Sequence, residues 1–242
     1  MLSQVFSHTM KQSIMQGKIA FGNLTAFSFF AARFCLVSVR ELIACYREEC
    51  ILRMFLKPFC LFCLFLAAFF AFPKQSHLYR ALFCGMIGDI FRMFTGKERN
   101  ILLGRLFFFL NHLFFLLEFH FLLGDSVPLS SFLVLLTIAL GSFLLLFLST
   151  KKFLPLKTTM AIAGSLYGTS LVLDFSVMAL GLYLGHACFL PGVLGGGLFL
   201  FSDLFLTVSL YLKDIRRDHF YIRLTYLLGE AGIFFSFFAY LV

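Results

Sequence analysis

Five carboxylates stand inside otherwise apolar stretches of this 242-residue chain: Asp89, Glu118, Asp174, Asp203 and Glu230. A charge at mid-bilayer costs at least about 2.5–3.5 kcal/mol on insertion scales, so each of these acids needs a reason to be there. The structural reason is an interhelical ion pair or hydrogen bond. The chemical reason is a polar interior site, and five acids together favour it. His112 lies in the middle of another apolar stretch and joins the candidates. Cys60-x-x-Cys63 has the spacing of a redox or metal pair, but it sits in an apolar run with no second pair and no histidine nearby. Two small buried hydrophobes are the better reading of it.

The elements that must position these residues follow from composition. Residues of the set AVILMFWYC make up 61% of the chain, charged residues 13%, and 37 residues are Phe, with a mean hydropathy of +0.95. A soluble domain has about 45–50% apolar and roughly 25% charged residues. Too little polar surface remains to clothe a water-soluble globule, which excludes a cytosolic enzyme, a secreted disulfide scaffold and a disordered chain. The apolar residues fall into eight segments near 21–39, 54–72, 79–95, 101–123, 129–148, 159–183, 192–212 and 223–241. Runs of about 18–25 residues cross the hydrocarbon as helices. The expected class is therefore all-α, a polytopic integral membrane protein with eight transmembrane helices.

The first segment is interrupted by Arg33. No A-x-A site follows it, as a signal peptide would require. Leu42-Ile43-Ala44-Cys45 imitates a lipoprotein cleavage box, but Arg40 and Glu41 intrude before it. A membrane helix is the reading kept. Residues 1–53 form an N-terminal extension containing that helix, and residues 54–242 form the main membrane domain.

The net charge of +8 invites a nucleic-acid partner, yet the basic residues lie between apolar runs and read as topology signals. One side carries only Lys11, Lys18, Lys74 and Arg80. The other carries Arg40, Arg47, Arg53 and Lys57, then Arg92, Lys97, Arg99 and Arg105. It also holds Lys151, Lys152 and Lys157, then Lys213, Arg216, Arg217 and Arg223. Both termini are accordingly expected on the non-cytoplasmic side. The third segment runs inward and leaves Asp89 about 9 Å from its inner end; Asp203 in the seventh lies about 13 Å from its own. His112 falls near the midplane, which puts three ionisable groups in one layer. Glu118 and Asp174 are expected nearer the opposite side, away from that layer. By helical phase Asp203 shares a face with Gly192, Gly196 and Thr207, Asp89 with Gly85 and Arg92, and His112 with Gly104 and Arg105. Small residues on a face admit a neighbouring helix or a substrate; Gly164-x-x-x-Gly168 reads as plain helix packing.

At these residues the chain resembles the YhhN-like membrane proteins, which include the lysoplasmalogenases. Lys57-Pro58 opens an apolar helix (FLKPFCLF), and Gly88-Asp89 lies late in the next (ALFCGMIGDIFRMF). The following helix begins with Gly104 and carries His112 (GRLFFFLNHLFF). A glycine-rich helix holds Ser202-Asp203 (GVLGGGLFLFSDLFL), and the last opens with Tyr226-x-x-x-Glu230. The likeness covers about residues 54–242 and fits eight helices. Two departures stand out: Glu230 occupies a place where the family usually has Gln, and the first 50 residues are longer and more basic than expected.

The resemblance implies an intramembrane hydrolase that cleaves the vinyl-ether bond of lysoplasmalogens, releasing a fatty aldehyde and a glycerophospho-choline or -ethanolamine. Protonating the β-carbon of a vinyl ether gives an oxocarbenium ion that water captures. That needs an acid still protonated near neutral pH and an anion facing the cation. Glycosidases meet a related need with two carboxyl groups in different environments. Asp89 and Asp203 fit as such a pair, in either order, with His112 orienting water or relaying the proton. Lys57 and Arg92 are the expected phosphate contacts, and Ser202 and Glu230 complete the substrate-binding set. The implied partners are a lysophospholipid substrate and membrane lipid, with no nucleic acid. The implied location is the bacterial inner membrane or, in a eukaryote, the endoplasmic reticulum.

Two other readings compete with this one. A zinc amidase needs about three His or carboxylate ligands at a defined spacing. Among His8, His77, His112, His120, His186 and His219 no His-x-x-x-His pair occurs, and only His112 and His120 share a face. No metal and no other cofactor is expected. The second rival is a small transporter or lipid-binding membrane protein with a proton-relay carboxylate pair. A broken helix in each of two repeated halves would favour it, and no convincing repeat is present.

Reporter fusions test the topology. Fusions after residues 45, 98, 153 and 216 should read cytoplasmic and those after 126 and 188 external; a cytoplasmic signal at 126 or 188 breaks the eight-helix arrangement.

Overall fold

In the computed structural model of the chain, residues 21–94, 97–124, 127–154, 156–211, 215 and 217–241 are described. Lys11, Lys18, Lys213 and Arg216, which enter the charge count, and His8 lie outside the described residues. Eight α-helices occupy nearly all of the rest: α1 Phe21–Tyr46, α2 Cys50–Ala71, α3 Ser76–Met93, α4 Glu98–Leu123, α5 Leu129–Phe153, α6 Thr158–Tyr183, α7 Leu190–Tyr211 and α8 Asp218–Leu241. Short connections make successive helices antiparallel neighbours. The hairpins α1/α2, α3/α4, α5/α6 and α7/α8 pack tightly. Further contacts of α2 with α3, α4 with α6, α6 with α7, and α8 with α1 close seven helices into a ring, leaving α5 outside against α6.

Six of these helices are long and apolar enough to cross a membrane; α1 and α3 are the two that are not. Both carry charges along their length, Arg33, Arg40 and Glu41 in α1, and Arg80, Asp89 and Arg92 in α3. The pattern of burial is that of a protein in lipid. Large apolar side chains such as Leu140, Leu145, Phe121 and Phe55 point outward. The interior, by contrast, holds Glu41, Asp89, Asn111, His112, Asp174, Arg223 and Glu230. Exposed apolar surface on this scale marks a membrane face rather than a water-facing one.

Glycines set the closest approaches. A Cβ on Gly232 would lie 2.5 Å from the Pro191 carbonyl oxygen, and one on Gly195 2.7 Å from that of Gly229, so the α7 and α8 backbones touch. Gly85 and Gly88 make room on α3 for Asn111 and Phe108 of α4. Gly196 faces Phe175 of α6, whereas Gly168 faces Leu146 of α5. These are the small-residue contacts by which helices associate without a hydrophobic drive.

Two helices end in the same capping motif. After α6, the His186 amide donates to the Gly181 carbonyl (3.1 Å) and the Gly185 amide to that of Leu182 (3.0 Å), with Gly185 at φ +92°. After α1, the Glu49 amide donates to Ala44 (2.9 Å) and that of Glu48 to Cys45 (3.3 Å), with Glu48 at φ +59°. Both are left-handed helix stops, one built on the residue suited to it and one not. A side chain in this conformation costs roughly 1–2 kcal/mol. Gly185→Ala should therefore lower stability by about that amount, whereas Glu48→Gly should raise it by up to about 1 kcal/mol. Unfolding curves in detergent that move in the opposite directions would contradict this account of the two turns.

Candidate functional site

Arg223 is the first residue to place. It lies one turn into α8, only 6% exposed, and its guanidinium reaches three other helices. Nε donates to Glu41 Oε1 of α1 (2.5 Å), Nη1 to Asp89 Oδ2 of α3 (3.2 Å), and Nη2 to the Lys57 carbonyl of α2 (2.8 Å). Lys57 Nζ pairs with Asp89 Oδ1 at 3.3 Å, and the Tyr226 hydroxyl lies 3.4 Å from Oδ2. Cys60 Sγ donates to Glu41 Oε2 at 3.0 Å. Glu41 and Asp89 thus face Arg223 and Lys57, and both carboxylates are buried with matched counter-charges.

Deeper in the bundle, five rings form a closed circuit across α4, α6, α7 and α8. Ring centroids lie 5.9 Å apart for Phe108 and Tyr167, and 5.8 Å for Tyr167 and His112. The circuit closes through His112 and Phe199 at 4.9 Å, Phe199 and Tyr226 at 5.0 Å, and Tyr226 and Phe108 at 6.2 Å. Every member that has a polar atom is tied to one carboxylate. Tyr226 meets Asp89, Tyr167 lies within interaction range of Asp203, and His112 Nδ1 lies 2.6 Å from Asp174 Oδ2. Next to the circuit, Asn111 Nδ2 donates to Glu230 Oε1 at 2.9 Å.

The residues singled out from sequence thus divide. Asp89 and Asp203 are not hydrogen-bonded to one another; each lies beside a tyrosine of the same circuit. Asp203 is half-buried, within charge–charge reach of Arg92, His112 and Arg105. Arg92 lays its stem across Gly104, where a Cβ would come within 2.8 Å of Arg92 Cγ. Lys57 is engaged by Asp89. Ser202 gives its hydroxyl to the Ile222 carbonyl at 2.8 Å and so ties α7 to α8. Glu230 is fully buried on Asn111.

Asp174 is a correction: the expected distance from the site is not found, since it touches His112 directly. Glu118 is fully buried in α4, and neither of its carboxylate oxygens has a hydrogen-bond partner. Cys60 and Cys63 are buried and unbridged. Among the described residues no three His, Cys, Asp or Glu side chains are grouped so as to hold a metal ion.

Sequence reasoning missed Arg223 and Glu41. Arg223 counts there as a loop charge, although Arg223, Tyr226 and Glu230 are spaced as one helical face, which was the available signal. Glu41 reads only as an interruption of a cleavage box. Removing one partner of a buried ion pair typically costs about 3–5 kcal/mol, because it strands the other charge. Glu41→Ala should destabilise the protein on that scale. Arg223→Met also removes the contacts to Asp89 and the Lys57 carbonyl, so the pairing shows as non-additivity: the double variant should lose less stability than the two singles summed, and additive losses would show that the two charges do not act as a pair.

No curated protein and no solved structure matches the chain. The profile of the YhhN family matches residues 52–237, a stretch that contains the whole aromatic circuit and every carboxylate bound to it. The chain is an integral membrane protein of the YhhN family.

Proposed function

We propose that this chain is an intramembrane hydrolase that cleaves the vinyl-ether bond of lysoplasmalogens to a fatty aldehyde and a glycerophospho-alcohol. The observation that carries the reading is the aromatic circuit with three acids tethered to it. Such a site suits a reaction that passes through a cation: aromatic faces attract positive charge, and fixed carboxylates oppose it in a medium of low dielectric. Membership of the YhhN family supports the same reaction class.

The geometry favours one order for the two aspartates. Asp89 faces two cations and is the fixed anion. Asp203 has no ion-pair contact among the described residues and is the acid that gives its proton to the β-carbon. Lys57 and Arg92, on the cytoplasmic half in this reading, hold the phosphate, with Ser202 and Glu230 bordering the substrate.

We also take α1 and α3 as membrane spans, giving eight, with both termini on the non-cytoplasmic side. Of the charges that make these two helices less apolar, Glu41 and Asp89 turn inward to meet Arg223, whereas Arg33, Arg40 and Arg80 are exposed. At 18 residues α3 is about 27 Å long, at the short end of the lengths that span a hydrocarbon core of about 30 Å.

Purified protein given 1-alkenyl-lysophosphoethanolamine should release aldehyde. General acid–base help is worth roughly 10²–10⁴-fold, and Asp203→Asn should lower turnover on that scale. Asp89→Asn should lower turnover too, but it also strands Lys57 and Arg223, so its thermal stability must fall as well. Residues acting as a unit are non-additive, so the double variant should be little slower than the slower single. No aldehyde from the native chain, or near-native turnover in Asp203→Asn, would sink this assignment.

A further inference from the structure

We infer that Asp174 is a positioning residue that fixes His112 as the base for the attacking water, an inference that rests on the hydrolase reading above. His112 and Asp174 are 0% and 1% exposed, and the 2.6 Å contact between Nδ1 and Oδ2 joins α4 to α6. A neutral imidazole carries one N–H and one lone pair, and a partner on one nitrogen decides which is which. A carboxylate on Nδ1 keeps the hydrogen there and leaves the lone pair on Nε2. That nitrogen is buried and has no protein partner. The ring that bears it stands between Tyr167 and Phe199, inside the aromatic circuit. A histidine serving only to tie two helices needs no second nitrogen held in the site.

The groups facing His112 are Asp174 and Tyr167 from α6, Asp203 from α7 and Glu230 from α8. They let the proton be followed through a full cycle. Asp203 gives its proton to the β-carbon, and the α-carbon becomes an oxocarbenium ion. Water oxygen bonds to that carbon while one water proton passes to His112 Nε2. Asp174 opposes the imidazolium so formed. In the second half the carbon–oxygen bond to the glycerol breaks, and the leaving oxygen takes the imidazolium proton. The hemiacetal hydroxyl returns its proton to Asp203, and aldehyde departs. Both groups end as they began.

The test uses the full chain in detergent, with Asp174→Asn, Asp174→Glu and His112→Gln beside the native sequence. Turnover and KM for 1-alkenyl-lysophosphoethanolamine are measured across pH, together with the imidazole ¹⁵N signals, His112 being assigned by its loss in His112→Gln. Asp174→Asn should lower kcat by roughly 10²–10⁴-fold with KM little changed. Its acid limb should move to lower pH, because the carboxylate that favours the imidazolium is gone. Asp174→Glu, which keeps the charge, should recover part of kcat. The native ¹⁵N signals should show hydrogen on Nδ1 and a bare Nε2.

Aldehyde from the native chain with unchanged kcat and acid limb in Asp174→Asn would overturn the inference, as would neutral His112 protonated at Nε2. No aldehyde from the native chain would instead overturn the hydrolase reading on which it rests. Should Asp174→Asn fail to fold, the Asp174→Glu kinetics and the native ¹⁵N signals decide the matter.

Discussion

A guanidinium held at the junction of four helices is the contact on which this end of the bundle depends. Arg223 cannot shed its proton to escape a low-dielectric setting. Its burial therefore obliges the surrounding helices to supply acceptors, and they do: α1 gives Glu41, α3 gives Asp89 and α2 gives a backbone carbonyl. Lys57 completes the balance on Asp89. Each of these groups would be expensive alone, and together they fix how four helices meet. The first helix, which lies outside the stretch matched by the family profile, is drawn into the same network through Glu41.

Away from that junction the charges do not cancel. Glu118 aside, the carboxylates of Glu41, Asp89, Asp174, Asp203 and Glu230 outnumber the cations Lys57, Arg92, Arg105 and Arg223 by one. That set is neutral when a single proton resides on one of these acids or on His112. A surplus of one within the set suits a proton-transfer site. The aromatic circuit lies beside the unbalanced part, where Asp203, His112, Asp174 and Glu230 are near one another.

The eight helices were legible from sequence because apolar runs and basic flanks supply independent signals. The first, fifth and eighth helices run beyond the apolar segments, to Tyr46, to Phe153 and back to Asp218, since they extend into polar ends that hydropathy discounts. Asp89, Asp203 and His112 were visible as polar residues in apolar runs. Their partners were harder to see. Arg223 is polar near a helix start, where a loop charge is the ordinary reading, and only its inward phase distinguishes it. Asp174 and His112 are 62 residues apart. Depth along a helix assigned Asp174 to the far side, yet the contact depends on how α4 and α6 are offset against one another, which no single-helix argument contains.

The outer helix α5 has no buried residue and packs on α6 by one side only. Its contribution is a hydrophobic length and a turn at either end, with no side chain that another part of the protein has to recognise. Read as information, α8 is nearly incompressible, since exchanging Arg223, Tyr226 or Glu230 breaks a particular partnership. The lipid-facing residues of α5 are the opposite case. Their order can be shuffled among Leu, Ile, Val and Phe with little change to the message, because the solvent that reads them is a hydrocarbon that does not distinguish one apolar letter from the next.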